Sequence, residues 1–132
     1  MKKNIILRCD ASLNIGSGHL MRCRSLARAL KERSINPIFI CKKNKGDLIK
    51  IISEEFDTIS LKKQFDNNQS SEEYESWLGS TQEFDAKQTL DEIYKNRISN
   101  ILAVIVDHYS LGVEWENYVK NGLEDFQNKI PT

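Results

Sequence analysis

The sequence lacks the features of secreted and membrane proteins. Its three cysteines, Cys9, Cys23 and Cys41, form no C-x-x-C pair, and their odd number argues against a disulfide framework. The longest apolar runs, Ile101–Val106 and Ile38–Cys41, are too short to cross a bilayer. The first residues have neither the apolar stretch nor the cleavage site of a secretory signal. We therefore expect a cytoplasmic protein with no disulfide and no membrane partner.

Aromatic side chains are scarce in the basic half of the chain. Residues 1–50 contain only Phe39, and they hold twelve Lys and Arg against three Asp and Glu, a net charge of +9. Residues 51–132 carry a net charge of −9. Nucleic-acid interfaces combine basic side chains with aromatic or groove-reading elements, so no nucleic-acid partner is expected. The basic half could serve an anionic ligand such as a phosphate, but the composition favours mutual attraction of the two halves.

The 132 residues, 39% hydrophobic and 29% charged, are typical of one folded domain. Short apolar runs alternate with segments of helical periodicity. Strands are predicted at 4–9, 38–41, 57–61 and 101–106, and helices at 19–33, 47–55, 85–97 and 113–126. This alternation predicts an α/β fold with a Rossmann-like, open and mainly parallel sheet. The run at 101–106, apolar on both faces, is expected at the centre of that sheet.

Polar side chains follow the ends of two predicted strands. Asp10 and Ser12 come after the first strand, and Asp107, His108 and Tyr109 come after the strand at 101–106. Ligands of open α/β sheets bind outside the carboxyl ends of the strands. Each aspartate is interpreted either as a functional carboxylate or as a cap where a strand turns, and its neighbours favour function for Asp107.

The glycine loop before the first long helix is not a nucleotide fingerprint. G-x-G-x-x-G would need glycine in place of Met21, and no Walker A Gly-Lys-Ser/Thr is present. Gly16 and Gly18 instead deliver His19 to a helix N-terminus, where the dipole favours an anion and disfavours an imidazolium. A neutral histidine there suits general base catalysis, although an ordinary early-helix histidine is an equally good interpretation. Cys23, four residues after His19, could share a metal with it but belongs to the apolar stripe, so no metal is predicted.

Three blocks of the sequence, in order, resemble one enzyme family. RCDASLNIGSGHLMRCRSLARAL (8–30), WLGSTQEFDAKQTL (77–90) and VDHYSLGVEWE (106–116) are similar to the N-terminal half of the UDP-2,4-diacetamido-2,4,6-trideoxy-β-L-altropyranose hydrolases. These enzymes of pseudaminic acid biosynthesis are grouped with the spore-coat polysaccharide biosynthesis proteins. The resemblance implies the N-terminal domain of a glycosyltransferase-B fold, in which two Rossmann-like domains face each other across a cleft.

The resemblance also implies roles for individual residues. His19 is the general base that activates water to attack the anomeric carbon, expelling UDP with inversion and without a metal or other cofactor. The substrates are then a UDP-activated amino sugar and water, and the free sugar is a precursor for condensation with phosphoenolpyruvate. The residues implied to contact the substrate are Asp10, Ser12, Gly16, Gly18, Arg22, Asp107, His108 and Tyr109.

Members of this family continue into a further strand and a C-terminal domain that holds most of the nucleotide site. We therefore expect residues 1–132 to form a single N-terminal domain that folds but does not turn over a UDP-sugar unaided. Two alternatives stay open. One is a glycosyltransferase of the same fold, with an acceptor hydroxyl in place of water. The other is a non-catalytic Rossmann-like binding or interaction domain.

Overall fold

A computed structural model of the chain describes residues 2–12, 16–64 and 78–129, with side chains up to residue 125. The chain divides into two units. One comprises Met1–Lys63 and Asn100–His108, and the other comprises Gln64–Ser99 and Tyr109–Thr132. The first unit contains a β-sheet, and the second contains a pair of long helices.

The sheet of the first unit has four strands, all parallel. The elements of this unit are β1 (Lys3–Cys9), α1 (Gly18–Glu32), β2 (Ile35–Lys42), α2 (Ile49–Ser53), β3 (Asp57–Leu61) and β4 (Ile101–Asp107). The strands lie in the order β3-β2-β1-β4, with α1 packed against β1 and β2 and α2 packed against β3. The predicted α/β class with a Rossmann-like, open parallel sheet is confirmed.

Three strands end side by side because β1 lies between β2 and β4. In register, Arg8 of β1 pairs with Ile40 of β2, and Cys9 pairs with Asp107 of β4. The polar residues that follow β1 and β4 therefore share one edge of the sheet. This is the edge at which open α/β sheets bind ligands.

The inner face of α1 is apolar, as its periodicity predicts. Leu20, Cys23 and Ala27 are buried in one cluster with side chains of β1 and β2. Cys9 and Cys41 belong to the same cluster, and none of the three cysteines is disulfide-bonded. The interpretation of the cysteines as core residues is confirmed.

The outer face of α1 is basic, and Glu55 contacts three of its side chains. Arg28 donates to the Glu55 carboxylate at 2.6 and 3.1 Å, and Arg24 donates to it at 3.3 Å. The Lys31 ammonium donates to the Glu55 backbone carbonyl at 2.8 Å. At this surface the basic half of the sequence is paired with an acid of the other half, which is the arrangement that the composition favours.

The position of β4 differs from the expectation. Among the described residues, β4 pairs only with β1, so Ile101–Val106 is an edge strand rather than a central one. It is not buried on both faces either, since Leu102 is 51% exposed. The prediction of a central strand is wrong because a continuous apolar run indicates only that both faces of a strand are apolar. It does not indicate how many strands pair with that strand.

The boundary between α1 and β2 also differs. The helix α1 ends at Glu32, one residue before the predicted end, and β2 begins at Ile35 rather than at the predicted 38, so that Asn36 and Pro37 lie inside the strand. Pairing of β2 with β3 begins only at Ile38, opposite Asp57. Pro37 thus precedes the stretch in which β2 has a neighbour on each side, and this position tolerates the missing N–H.

The helix α2 is shorter than the predicted 47–55. Leu48 precedes it with a φ of 60°, a left-handed conformation that stops the helix from extending toward the N-terminus. Asp47 lies beside this start, as predicted, and its carboxylate accepts a hydrogen bond from the backbone N–H of Ile49 at 3.0 Å.

The second unit pairs the helices α3 (Gln82–Lys95) and α4 (Val113–Lys129). The side chain of Thr81 caps α3 by accepting a hydrogen bond from the backbone N–H of Phe84 at 3.1 Å, so the helix begins before the predicted Asp85. The two helices approach closely at Gly122, where a Cβ atom would overlap the side chain of Leu90. A larger residue at this position would force the Leu90 side chain to move.

A buried polar contact also joins α3 to α4. The indole N–H of Trp115 donates to the carboxylate of Asp85 at 2.8 Å, and both side chains are buried. Residues 65–77, which include the first residue of the resembling block 77–90, lie outside the described residues. No helix in the described ranges is both long and apolar enough to span a membrane.

Candidate functional site

A glycine turn and the first turn of α1 bring His19 to the carboxyl edge of the sheet. Gly16 has a φ of 74°, a left-handed conformation that favours glycine, and its backbone N–H donates to the Ser12 carbonyl at 2.9 Å. Gly18 is the first residue of α1, so His19 lies in the first helical turn as predicted. The three residues between Ser12 and Gly16 are outside the described part of the chain.

His19 contacts Asp107, the last residue of β4. The Nδ1 atom of His19 lies 2.5 Å from Oδ1 of Asp107. An imidazole nitrogen and a carboxylate oxygen this close share a hydrogen, and an ionised carboxylate can only accept it. In its neutral form His19 therefore carries its proton on Nδ1, which leaves Nε2 unprotonated. A histidine oriented in this way by a carboxylate can take a proton from water or a hydroxyl group.

Arg22, one turn further along α1, holds the same carboxylate. Its Nε donates to Oδ2 of Asp107 at 3.1 Å, and its Nη2 donates to Oδ1 at 3.0 Å. The Nη2 atom also lies 2.9 Å from Nδ1 of His19. Because Nδ1 of His19 donates to Asp107, it cannot accept a hydrogen bond from Arg22. Nδ1 of His19 and Nη2 of Arg22 are therefore two neighbouring donors, and both donate to Oδ1 of Asp107.

The charge on Asp107 is maintained by these contacts. Partial burial alone would raise the pKa of the carboxyl, but the hydrogen bonds from Arg22 and His19 outweigh it and hold the pKa below its usual value. The Asp107 side chain is 27% exposed, whereas that of His19 is 9% exposed. The site therefore combines an ionised acceptor with a histidine that is mostly shielded from solvent.

A second carboxylate, that of Asp10, is buried at the same edge. Its Oδ1 accepts from Nη1 of Arg8 and from the backbone N–H of Lys42, each at 2.6 Å. Its Oδ2 lies 3.1 Å from Nη2 of Arg8 and 2.9 Å from Nε2 of His108. Burial would raise the pKa of Asp10, but the charge of Arg8 and the hydrogen bond from His108 hold it well below its usual range. Nε2 of His108 is therefore the donor.

The structure brings most of the predicted site residues together. His19, Arg22 and Asp107 form one group of contacts, and Asp10 and His108 form a second group at the same edge of the sheet. Both histidines lie at one edge, as predicted. The other implied substrate contacts are placed as follows: Ser12 is buried and bridged to Gly16, Gly18 begins α1, and Tyr109, in the second unit, is 70% exposed.

The sequence interpretation missed Arg8, which is fully buried in β1. Its guanidinium pairs with Asp10 and also donates to the backbone carbonyl of Ile40 at 3.3 Å. The signal was present in the run NIILRC, because an arginine among buried apolar residues needs a partner. Side chains two residues apart on a strand share a face, which points to Asp10.

No group of three or more His, Cys, Asp or Glu side chains in the described ranges is arranged to hold a metal ion. Cys23, the residue considered as a partner for a metal on His19, is buried in the core cluster with Cys9, and a hydrogen bond with the Cys9 thiol lowers the pKa of Cys23. Hydrogen bonds with Cys23 and Cys41, together with burial, raise the pKa of Cys9. These contacts are those of a thiol cluster within the core.

Comparison with known proteins finds no family model that matches the chain and no curated protein that matches it. The similarity of the three sequence blocks to UDP-sugar hydrolases thus remains an expectation.

Proposed function

We propose that this chain carries the general base of a nucleotide-sugar hydrolase and that His19 is that base. The observation that carries the proposal is the contact of 2.5 Å between Nδ1 of His19 and Oδ1 of Asp107 at the carboxyl edge of the sheet. The three resembling sequence blocks supply the substrate class, a UDP-activated 2,4-diacetamido-2,4,6-trideoxyhexose used in pseudaminic acid and surface polysaccharide synthesis.

The proposed reaction is a displacement at the anomeric carbon. Nε2 of His19 takes a proton from water while the water oxygen bonds to that carbon. The bond between the carbon and the phosphate oxygen breaks, and UDP departs with the electron pair from the opposite face, which inverts the configuration. The ionised Asp107 stabilises the imidazolium that forms, and a positioned base of this kind contributes about 10²–10⁴-fold to the rate.

The charges around His19 also suit an anionic substrate. The histidine lies in the first turn of α1, where backbone N–H groups and the helix dipole favour negative charge. No acidic residue lies in that first turn, and Arg22 has a side chain that is 64% exposed. These features support the attraction of a sugar diphosphate to this edge of the sheet.

The proposal is tested by an NMR titration of the ¹⁵N-labelled chain with the UDP-sugar, the free sugar and UDP. We expect the two ligands that contain the sugar to shift the amide resonances of Gly16, Gly18, His19 and Asp107. UDP alone should cause smaller shifts, because it lacks the sugar and the resemblance assigns most of the nucleotide site to another domain, which leaves only the charge of Arg22 and the helix N-terminus to attract its diphosphate. The variant His19→Gln should keep the shifts at the two glycines, since the base acts in the chemical step.

Two results would contradict the proposal. One is a titration in which no sugar ligand shifts these resonances. The other is a set of shifts confined to residues 82–95 and 113–129, the helices of the second unit.

A further inference from the structure

The carboxylate of Asp10 ties together the ends of three strands. Arg8 donates to it from β1, the backbone N–H of Lys42 donates from the end of β2, and His108 donates from the residue that follows β4. Every side chain in this set of contacts is almost completely buried: the side chains of Arg8, Asp10 and His108 are 0%, 4% and 2% exposed. His108 is also the residue directly after Asp107.

We propose that Asp10 and His108 are positioning residues that hold Asp107 in place against His19. The resemblance to UDP-sugar hydrolases implies instead that Asp10 and His108 contact the substrate. The contacts favour positioning, because both oxygens of Asp10 already accept hydrogen bonds and neither side chain has appreciable exposure.

The contact between His108 and Asp10 acts as an anchor at the end of β4. Among the described residues, β4 is paired only along its β1 side, so its backbone is fixed from one direction. Asp107 ends the strand, and its side chain must meet a histidine that belongs to α1. The hydrogen bond of 2.9 Å between His108 and Asp10 holds the residue directly after Asp107 against the end of β1, one residue beyond the last strand pair, Cys9 with Asp107.

The anchor is strong because it is ionic and buried. Hydrogen bonds with an ionised partner are about twice as strong as neutral ones, and low local polarity strengthens them further. A loss of the His108 hydrogen bond leaves Oδ2 of Asp10 with one donor fewer in a site that water reaches poorly. The end of β4 then becomes free to shift, and the short contact between Asp107 and His19 is the first to lengthen.

The test compares His108→Gln with His108→Asn in the full chain. The terminal amide nitrogen of glutamine can occupy the position of Nε2 and donate to Asp10, whereas the shorter asparagine cannot reach it. The readout is the ¹⁵N and ¹H spectrum of the His19 ring, in which the Nδ1–H that donates to Asp107 gives a signal protected from exchange with water. Asp107→Ala shows the spectrum expected when the acceptor is absent.

We expect the glutamine variant to keep the protected Nδ1–H signal of His19 and the asparagine variant to lose it, as Asp107→Ala does. Thr89→Val, which removes a buried hydrogen bond to Asp85 in the second unit, should leave the signal unchanged and controls for a general loss of stability. Far-ultraviolet circular dichroism confirms that each variant folds. A wild-type His19 signal in His108→Asn overturns the proposal, as does loss of the signal in both variants.

This inference rests on the proposed function only in naming His19 as a base. The spectra are recorded without substrate, so they report the positioning of His19 whether or not the chain acts on a nucleotide sugar. A protein that fails to bind the sugar but shows the expected spectra would refute the proposed function and leave the positioning role intact.

Discussion

His19 and Asp107 are 88 positions apart in the sequence, yet Nδ1 of one lies 2.5 Å from Oδ1 of the other. The contact exists because β4 pairs with β1 in parallel, so that Asp107 comes level with Cys9, and because the glycine turn after β1 leads directly into α1. The fold therefore assembles the histidine and the carboxylate from two distant segments. The same pairing places His108 next to Asp10.

Replacement of Asp10 should destabilise the chain in a manner that depends on pH. Asp10→Asn leaves the buried guanidinium of Arg8 without its counter-ion, and breaking a buried ion pair in this way costs about 3–5 kcal/mol. The pKa of Asp10 is lower in the folded chain than in the unfolded chain, where it is about 4. The contribution of Asp10 to the free energy of unfolding is therefore complete above the unfolded pKa and is lost as the pH falls toward the folded pKa. Urea unfolding of wild type and Asp10→Asn at neutral and acidic pH measures this free energy.

The difference in unfolding free energy between wild type and Asp10→Asn should thus narrow below about pH 4. Asp57→Asn is the matched control, since the Asp57 side chain is 62% exposed and its ion pair with Lys2 is long, at 3.9 Å. That variant should unfold within about 0.5 kcal/mol of wild type. A cost for Asp10→Asn that stays constant from neutral to acidic pH would contradict the assignment of an ionised, paired Asp10.

Gly122→Ala should destabilise the helix pair of the second unit. The added methyl group would overlap the side chain of Leu90, and overpacking of this kind costs about 1–3 kcal/mol, of which the higher helix propensity of alanine offsets about 1 kcal/mol. Gly112→Ala is the control, because a Cβ at Gly112 meets only the side chain of Gln82, at 3.9 Å. Thermal unfolding, followed by circular dichroism, measures the melting temperature of each variant. Equal melting temperatures for Gly122→Ala and Gly112→Ala would show that the two helices do not approach closely at Gly122.

The three thiols should be reduced but slow to react. Cys9, Cys23 and Cys41 are buried in one cluster, which shields all three from a reagent. Hydrogen bonding together with burial also raises the pKa of Cys9, and Cys23, whose pKa is lowered, is only 3% exposed. A thiol reagent should modify the folded chain slowly and should label three cysteines once the chain is unfolded in denaturant. Recovery of a single thiol would indicate a disulfide, and stoichiometric zinc by elemental analysis would indicate a metal site, against the sequence-based prediction.

The fold could be predicted because each strand and long helix has its own pattern of side chains. The periodic apolar face of α1 and the run that became β3 are local properties of the sequence, and both were correctly located. The edge position of β4 could not be predicted, since the number of strands beside it depends on contacts that its own side chains do not specify. The start of β2 at Ile35 depends likewise on where it begins to pair with β1.

The candidate site was predictable in part. The strand ends placed His19 and Asp107 at one edge, which the structure confirms, because parallel strands bring their carboxyl ends together. The hydrogen bonds that Asp10 accepts from Arg8 and from the Lys42 backbone were not predicted. Arg8 and Asp10 are two residues apart, and this spacing, which places both side chains on one face, can be read from the sequence. The contact between Lys42 and Asp10 depends on the register between β1 and β2, which the sequence does not give.

The central claim, that His19 is the base for hydrolysis of a nucleotide sugar, is tested most directly with a chimera in ¹⁸O-labelled water. This chain would replace the N-terminal domain of an active UDP-sugar hydrolase, which supplies the nucleotide contacts. If His19 is the base, the products are free sugar labelled at the anomeric oxygen and unlabelled UDP, and His19→Gln lowers kcat by about 10²–10⁴-fold with little change in KM. Equal kcat values for the chimera and its His19→Gln variant, or a chimera that binds the UDP-sugar without releasing sugar, would contradict this claim.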